Sequence, residues 1–447
     1  MQVASPTNAA WMKPIFSEIK PPSRKLNEGL SNKLIWSNSS KSLSESNEIG
    51  IKLVSLYSDL SDKPINLSNV PDLLDIKSMI NLIESLGVKI KKKDNNYLLK
   101  TSNILSHEAN YNLVRKMRAS FLTLGPLLAR EGFAKISLPG GCAIGSRPVD
   151  LHLYAMKKLG ANIGFSDGYV IAKSNGKSLI GNKIDFPKIS VGATENAIMA
   201  AVLAKGETLI NNAALEPEIV DLCNCLTSMG AKIEGAGTSQ IRIEGIDVFL
   251  DTSHQVITDR IEACTFIIAA AITHSSLYIK RINYSHIAKF LEIMQKMGLE
   301  FKLINKSIFI QKSKKLSSIS IKTQEYPGFP TDLQAQLMTL ACVSNGKSYI
   351  EESIFENRFM HVPELNRLGA DIQIKGNNAI INGNCSFIGA EVMATDLRAS
   401  VSLILAALIA KGKTKINRIY HLDRGYENID YKLSICGATI KRGNDGN

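Results

Sequence analysis

The residues best suited to chemistry in this sequence lie in one glycine- and proline-rich stretch, residues 138–152. The stretch contains a single cysteine, Cys142, and Arg147 follows it five residues later. Glycine and proline favour backbone conformations that regular helices and strands exclude, so we predict a loop. Because a neighbouring guanidinium favours the thiolate, Cys142 is a candidate reactive group. Pro148 then opens a predicted amphipathic helix.

Polar residues also open several alanine-rich, nearly uncharged helical segments. They are Arg118, Lys188 with Ser190, Asp259 with Arg260, Asp332, and Asp396 with Arg398. The N-terminus of a helix attracts anions through its free N–H groups and its dipole. If several of these ends converge between two domains, they form an anion-binding cleft. Arginine suits such a cleft because its planar fork binds carboxylate or phosphate at two points.

The elements that must position these residues form a repeat. A phrase such as Leu159-Gly160-Ala161 occurs six times, and its glycines are 73, 70, 68, 71 and 68 residues apart, at positions 87, 160, 230, 298, 369 and 437. Each phrase ends a helical pattern and begins an alternating strand pattern. We therefore predict that each glycine ends a helix and turns the chain into a strand.

A second helix recurs in most units and is apolar on all sides. Examples are residues 193–204, 262–271, 332–343 and 396–410. A helix without a polar face is buried, whereas the alternating strands at residues 205–211 and 413–417 should expose one side to solvent. The sequence therefore predicts an α/β fold with the usual layers inverted. Six units of about 70 residues, three in each of two domains, would surround buried helices with sheets.

The overall composition favours a cytosolic protein that binds small anionic molecules. Hydrophobic residues make up 45% and charged residues 21% of the chain, and the net charge is +12. No basic stripe with interleaved aromatic residues indicates nucleic-acid binding. Seven unpatterned cysteines predict free thiols, and the histidines lack metal-ligand spacing, so we expect neither a metal nor another cofactor. The longest apolar runs span about half a membrane, and the N-terminus lacks a signal-peptide core.

From about residue 66 to residue 442 the chain resembles the UDP-N-acetylglucosamine 1-carboxyvinyltransferases, enolpyruvyl transferases of the EPSP synthase superfamily. The matching segments are 116–120, 139–145, 147–152, 190–196, 216–221, 329–332, 355–361, 394–398 and 423–426. The resemblance implies a two-domain inside-out α/β barrel of EPSP synthase type. It also implies transfer of the enolpyruvyl group of phosphoenolpyruvate to the 3-hydroxyl of UDP-N-acetylglucosamine, with release of phosphate, at the start of peptidoglycan synthesis.

The same resemblance implies roles for individual residues. Asp332 matches the family's base, and Cys142 matches a loop cysteine that resembles a general acid and is alkylated by fosfomycin. The positions that match substrate contacts are Arg118, Arg147, Pro148, Val149, Asp150, Leu151, Lys188, Ile189, Ser190, Val191, Ile354, Arg358, Arg398 and Arg424. Arg118 matches a position that contacts the substrates. The next nine chiefly match contacts to the nucleotide sugar, and the last three match arginines that close on phosphoenolpyruvate. We interpret His152 and His361 as structural.

The N-terminal segment departs from the family pattern. In the family, a Lys-Asn pair contacts phosphoenolpyruvate. Counting back from residues 69–71 by the family's spacing places this pair at residues 47–49, which are Asn-Glu-Ile in this chain. Lys41 is a candidate substitute for the missing lysine. Residues 1–60 also lack the uncharged face of the other units, because a residue such as Glu48 is costly on a buried helix. A local reading-frame change or a decayed repeat would explain this, and either predicts that residues 1–60 pack poorly.

These observations leave three functions open on two predicted domains. We expect residues 1–47 to form an atypical segment, which in the family supplies a strand to the second domain, followed by domains at 48–257 and 258–447. The chain is an active transferase, or a relative that binds the nucleotide sugar without turnover because the Lys-Asn pair is missing. The third function, 5-enolpyruvylshikimate-3-phosphate synthesis, is disfavoured because that sister family lacks the Cys142 loop.

Overall fold

A computed structural model describes residues 2–4, 34–35, 62–115, 117–139, 149–176 and 178–443 of the chain. Within these residues the α-helices are Leu74–Leu86, Tyr111–Val114, Leu124–Glu131, Asp150–Lys158, Val191–Ala201, Pro217–Ser228, Arg260–Ile272, Ala288–Lys296, Gln334–Val343, Val362–Arg367, Leu397–Ala407, Tyr420–Asp423 and Ile429–Ile435. Short 3-10 helices cover Arg118–Thr123, Tyr284–Ile287 and Thr331–Leu333. None of the described helices is both long and apolar enough to cross a membrane.

The described strands form six separate four-stranded sheets that share one topology. In spatial order, the N-terminal half contains Thr252–Gln255, Ile65–Ser68, Asn96–Lys100 and Lys89–Lys93; Glu108–Ala109, Phe133–Ser137, Tyr169–Ser174 and Ala161–Ser166; and Lys183–Asp185, Glu207–Asn211, Gln240–Glu244 and Lys232–Glu234. The C-terminal half contains Leu34–Ile35, Leu277–Lys280, Ser307–Ile310 and Phe301–Ile304; Ser320–Lys322, Lys347–Glu351, Asn378–Asn382 and Asp371–Lys375; and Glu391–Met393, Lys413–Asn417, Gln2–Ala4 and Thr439–Lys441. In every sheet the first two strands are parallel and the other pairs are antiparallel.

The N-terminal strand completes a sheet of the C-terminal half. Gln2–Ala4 lies between Lys413–Asn417 and Thr439–Lys441 and pairs antiparallel with both. It is the third strand of its sheet in spatial order. In each of the other five sheets, the third strand comes from the same repeat as its neighbours. Apart from residues 2–4 and 34–35, residues 1–60 lie outside the described part of the chain, as do the candidate Lys41 and residues 47–49, so their poor packing stays a prediction.

The six glycines of the repeat end their helices as predicted. Each has a positive φ, between +89° at Gly160 and +117° at Gly87, which side chains disfavour. Each also donates its backbone N–H to the carbonyl oxygen three residues earlier. This bond satisfies one of the last carbonyl groups of the helix, which lack a donor within the regular helix. The recurrence of one cap at six positions confirms that the fold is built from repeated units.

The apolar helices are buried, which confirms the inverted layering. Nearly every residue of Val191–Ala201, Arg260–Ile272, Gln334–Val343 and Leu397–Ala407 is buried. The helical prediction for 332–343 needs one correction, because Asp332 lies in the 3-10 turn that precedes the α-helix. Pro330 is extended there, and its carbonyl accepts from the N–H of Leu333, which tightens the first turn.

The described core residues fall into two clusters. One extends along the chain from Ile65 to Val256, and the other from Ile261 to Leu433. On this division we propose a boundary between two domains at residue 258.

Candidate active site

One carboxylate of the second domain is held between two buried arginines. Asp332 Oδ1 accepts from Arg358 Nη2 at 2.6 Å, and Asp332 Oδ2 accepts from Arg398 Nη2 at 3.1 Å. The arginine side chains are each 5% exposed, whereas that of Asp332 is 26% exposed. The structure therefore joins three residues that lie up to 66 positions apart in the sequence. Because two guanidinium groups face one carboxylate, the cluster retains a net positive charge that suits an anionic ligand.

The charges around Asp332 keep it ionised. Burial alone would raise the pKa of Asp332, but the positive charges of Arg398 and Arg358 outweigh this effect and hold its pKa well below the usual range. An ionised carboxylate that is partly open to solvent can accept a proton from a bound hydroxyl group. While both arginines contact it, Asp332 is a weak base.

Arg398 is positioned by the start of its helix and by an aromatic ring. The carboxylate of Asp396 accepts from the backbone N–H groups of Arg398 and Ala399, at 2.8 and 3.0 Å, and so caps Leu397–Ala407. The Arg398 guanidinium lies 5.7 Å from the centre of the Tyr426 ring and donates from Nη1 to the Tyr426 hydroxyl at 3.4 Å. These contacts fix a long side chain that would otherwise lose much rotamer freedom on binding a ligand.

A hydrogen-bonded group beneath the site connects Tyr426 to the turn that carries Asp332. The hydroxyl of Tyr426 lies 3.0 Å from that of Thr265, and Gln336 Nε2 donates to the Tyr426 hydroxyl at 3.3 Å. Gln336 Nε2 also donates to the Asp332 carbonyl oxygen at 2.9 Å. Burial raises the pKa of the Tyr426 phenol, which keeps it protonated. Three buried segments of the second domain thus support one site.

Sequence reasoning missed Glu352, which organises the opposite side of the site. Its carboxylate is buried and accepts four hydrogen bonds, including those from the Thr331 hydroxyl and the Ile354 backbone N–H, both at 2.9 Å. Strand alternation could have identified it, because Ser348, Ile350 and Glu352 occupy every second position on the buried face. Ile354, the predicted hydrophobic contact, lies on the loop that Glu352 holds.

Arg424, the third predicted arginine of the second domain, contacts the first domain. It donates from Nε and Nη2 to the two carboxylate oxygens of Asp75, at 2.9 and 3.1 Å. Close by, the backbone N–H of Asp72 donates to Glu427 Oε1 at 3.1 Å. The side chain of Arg424 remains 34% exposed. It therefore lies where the two domains meet, with part of its guanidinium open to solvent.

The remaining predicted residues belong to the first domain. Arg118 begins the 3-10 helix Arg118–Thr123, and Val149, Asp150 and Leu151 lie at the start of Asp150–Lys158. Ser190 caps the helix Val191–Ala201, because its hydroxyl accepts from the Ala193 N–H at 3.3 Å. Lys188 and Ile189 precede this cap, and they are exposed and half-buried, respectively. Val191 is the first residue of the helix. Cys142, Arg147 and Pro148 lie outside the described residues. The contacts that join the first-domain positions to Asp332 therefore stay a prediction.

The two histidines of the motifs are buried in their own domains. His152 Nδ1 lies 3.0 Å from the amide nitrogen of Asn196, and its ring packs edge-on against Phe121, with 5.3 Å between the ring centres. Burial lowers the pKa of His361 to about 4, so its imidazole is neutral near pH 7. Both environments suit a packing role.

Comparison with known proteins gives the family. Residues 51–433 match the EPSP synthase (3-phosphoshikimate 1-carboxyvinyltransferase) family. The chain belongs to this family. Among its members, a UDP-N-acetylglucosamine 1-carboxyvinyltransferase of Pelagibacter ubique is 55% identical over 383 residues, which cover 86% of this chain and 92% of that protein. One of the same name from Maricaulis maris is 51% identical over 389 residues, covering 87% of this chain and 92% of that protein.

Solved structures of the EPSP synthase family confirm the fold. The enolpyruvyl transferase NikO of Streptomyces tendae superposes with a TM-score of 0.79 at 22% identity, covering 92% of this chain and 96% of that one. An EPSP synthase of Acinetobacter baumannii superposes with a TM-score of 0.68 at 18% identity, covering 91% and 96%. Identities this low support the shared architecture alone.

Proposed function

We propose that this protein transfers the enolpyruvyl group of phosphoenolpyruvate to the 3-hydroxyl of UDP-N-acetylglucosamine and releases phosphate. The observation that carries the proposal is the carboxylate of Asp332, which is held ionised between the guanidinium groups of Arg358 and Arg398. Two relatives that are named for this activity are at least 51% identical over most of both chains, which supports this substrate pair over that of the sister enzyme.

The reaction in this proposal is an addition followed by an elimination. Asp332 accepts the proton of the sugar hydroxyl, whose oxygen then bonds to C2 of phosphoenolpyruvate while C3 gains a proton. Loss of phosphate from C2 and of a proton from C3 restores the double bond in the product. The arriving substrate anions compete with Asp332 for Arg358 and Arg398, which raises the pKa of Asp332 and makes it a stronger base at the moment when it is needed.

The first domain supplies the nucleotide-sugar site in this proposal. That substrate is contacted by the run from Arg147 through Pro148, Val149, Asp150 and Leu151 and by the segment of Lys188, Ile189, Ser190 and Val191. Arg118 also contacts the substrates. Cys142 acts as the acid toward C3. Ile354 borders the sugar on the second domain, and Arg424 joins Arg358 and Arg398 around phosphoenolpyruvate. The product then enters peptidoglycan synthesis in the cytoplasm, a reducing compartment that keeps cysteines such as Cys223 and Cys264 as thiols.

Phosphate release with both substrates tests the proposal, and calorimetric titration of the nucleotide sugar separates binding from turnover. We expect phosphate release that requires both substrates, and inactivation by fosfomycin that the nucleotide sugar accelerates. Nucleotide-sugar binding without phosphate release would identify a non-catalytic relative. Phosphate release with shikimate 3-phosphate in place of the nucleotide sugar would instead identify the sister activity.

A further inference from the structure

We propose that Glu352 is a positioning residue that sets the geometry of both partners in the Asp332–Arg358 ion pair. The inference rests on the proposed function, because it concerns the base and one of the anion-binding arginines of that reaction. Glu352 itself is 3% exposed, so it acts on a ligand only through the residues that it holds. Its four hydrogen-bond donors come from three separate segments of the second domain.

The two carboxylate oxygens of Glu352 have different tasks. Oε1 accepts from the Thr323 hydroxyl at 3.0 Å and from the backbone N–H groups of Ile354 and Phe355, at 2.9 and 3.2 Å. Oε2 accepts from the Thr331 hydroxyl at 2.9 Å. A carboxylate is the side-chain group that accepts in several directions without a hydrogen of its own, and its charge strengthens each bond.

The bond from Oε2 acts on the base. Thr331 directly precedes Asp332 in the 3-10 turn Thr331–Leu333, which is the short element between extended Pro330 and the buried helix Gln334–Val343. A 3-10 turn of three residues has little stability of its own. By holding the Thr331 side chain, Glu352 fixes the turn from one side, while Gln336 Nε2 holds the Asp332 carbonyl from the other.

The bonds to Oε1 act on the arginine. They fold the loop after strand Lys347–Glu351, so that the ring of Phe355 lies 5.5 Å from the Arg358 guanidinium. The Arg358 side chain, which is 5% exposed, thus contacts both the Phe355 ring and the Asp332 carboxylate. One buried carboxylate thus connects to Asp332 through Thr331 and to Arg358 through Phe355. Because it touches both segments, its loss changes their relative position rather than either one alone.

Three substitutions test this assignment, with a matched control at the neighbouring position. E352A removes all four bonds, T331V removes only the bond to Oε2, and E352Q keeps an oxygen for Oε1 but places a donor opposite Thr331. E351Q is the control, because Glu351 is the adjacent glutamate and pairs with Lys322 on the outer face of the sheet. Each variant is assayed for phosphate release against pH, for nucleotide-sugar affinity and for thermal unfolding.

We expect E352A to lower kcat roughly a hundredfold and T331V roughly tenfold, because misplacement of reacting groups by about 1 Å has effects of this size. Nucleotide-sugar affinity should change less than kcat. The acidic limb of the kcat profile should move to higher pH, because a loosened Arg358 no longer holds the pKa of Asp332 as low. E352Q should be intermediate in kcat, and E351Q should match the unmodified protein in every measurement.

Two outcomes would overturn the assignment. A lower melting temperature with an unchanged kcat per folded molecule and an unchanged pH profile would make Glu352 a stabilising residue only. An E351Q effect equal to that of T331V would show that the strand responds to any substitution. If the unmodified protein releases no phosphate, the proposed function fails, and crystal structures of T331V and E352A decide the positioning role. An Asp332–Arg358 distance that stays at 2.6 Å in both would then refute it.

Discussion

At the level of single residues, the central feature is a carboxylate shared by two buried guanidinium groups. Arg358 and Arg398 are almost fully buried, and a buried charge without a counter-ion is strongly destabilising. Asp332 therefore stabilises the two buried arginines as well as serving as the proposed base. The three side chains together still carry a net positive charge, which favours binding of an anionic ligand, because one negative charge does not neutralise two positive ones.

Replacement of Asp332 by asparagine should separate these two roles. D332N keeps the side-chain volume but removes both the charge and the proton acceptor. We expect phosphate release to fall by a factor of roughly 100 to 10,000, the usual contribution of a general base. Nucleotide-sugar affinity should change by less than about tenfold, as calorimetry would measure, because that ligand is assigned mainly to the first domain. Retention of more than a tenth of the turnover would contradict the assignment of the base.

His361 should make the stability of the second domain depend on acid. Burial lowers its pKa from 6.5 to about 4, so the unfolded chain binds a proton between these values and the folded chain does not. The free energy of unfolding that neutral His361 contributes is fully present above pH 6.5 and is lost as the pH falls toward 4. Between pH 7 and pH 4.5, denaturant unfolding should show the unmodified protein losing about 2 kcal/mol more than H361Q. Parallel pH curves for the two proteins would disprove this account.

At the level of elements, the repeated helix cap is the part of the fold that the sequence predicts best. A glycine between a helical and an alternating pattern is a local signal, and all six such glycines have the expected positive φ. The buried helices are also predictable, because an uncharged alanine-rich segment has no face to expose.

The site is less predictable than the fold, because its contacts join distant segments. The polar helix openings and the family resemblance together named Asp332, Arg358 and Arg398, but neither indicates a shared carboxylate. Glu352 escaped because its role depends on hydrogen bonds to residues up to 29 positions away. The pairing of Arg424 with Asp75 across 349 residues has no local signal at all.

Two caps of the repeat provide a matched test of how such elements tolerate change. Gly87 and Gly160 have the same role, with φ values of +117° and +89°. A Cβ atom on Gly160 would meet no heavy atom of the described residues within 4 Å, whereas one on Gly87 would lie 2.7 Å from the carbonyl oxygen of Asn103. We expect urea unfolding to show a loss of about 1 kcal/mol for G160A, from backbone strain alone. G87A should lose about 2 kcal/mol more, because the backbone must move. Equal losses would mean that the conformation of the glycine dominates over the space around it.

At the level of the whole molecule, the second domain contacts the first through Arg260, which donates to Glu218, and through the segment that follows Tyr420–Asp423. Arg424 donates from Nε and Nη2 to the two carboxylate oxygens of Asp75, and Glu427 accepts from the backbone N–H of Asp72. Both first-domain residues lie at the start of Leu74–Leu86, so a single helix end meets a single short segment after Tyr420–Asp423. The Arg424 contact therefore joins one short segment of each domain.

Hydrogen exchange at the Asp72 amide should report on this contact directly. R424Q removes the guanidinium without altering Leu74–Leu86, so the Glu427 carboxylate should lose its fixed place beside Asp72. We expect exchange at Asp72 to rise roughly fivefold, which corresponds to about 1 kcal/mol for a partly exposed bidentate pair. The Lys77 amide, which donates to Leu73 within the helix, should keep its rate.

R442Q is the matched control, because Arg442 makes a comparable bidentate pair with Asp423 inside the second domain. If R442Q accelerates Asp72 exchange as much as R424Q does, the effect arises from general loosening of the second domain and not from the contact between domains.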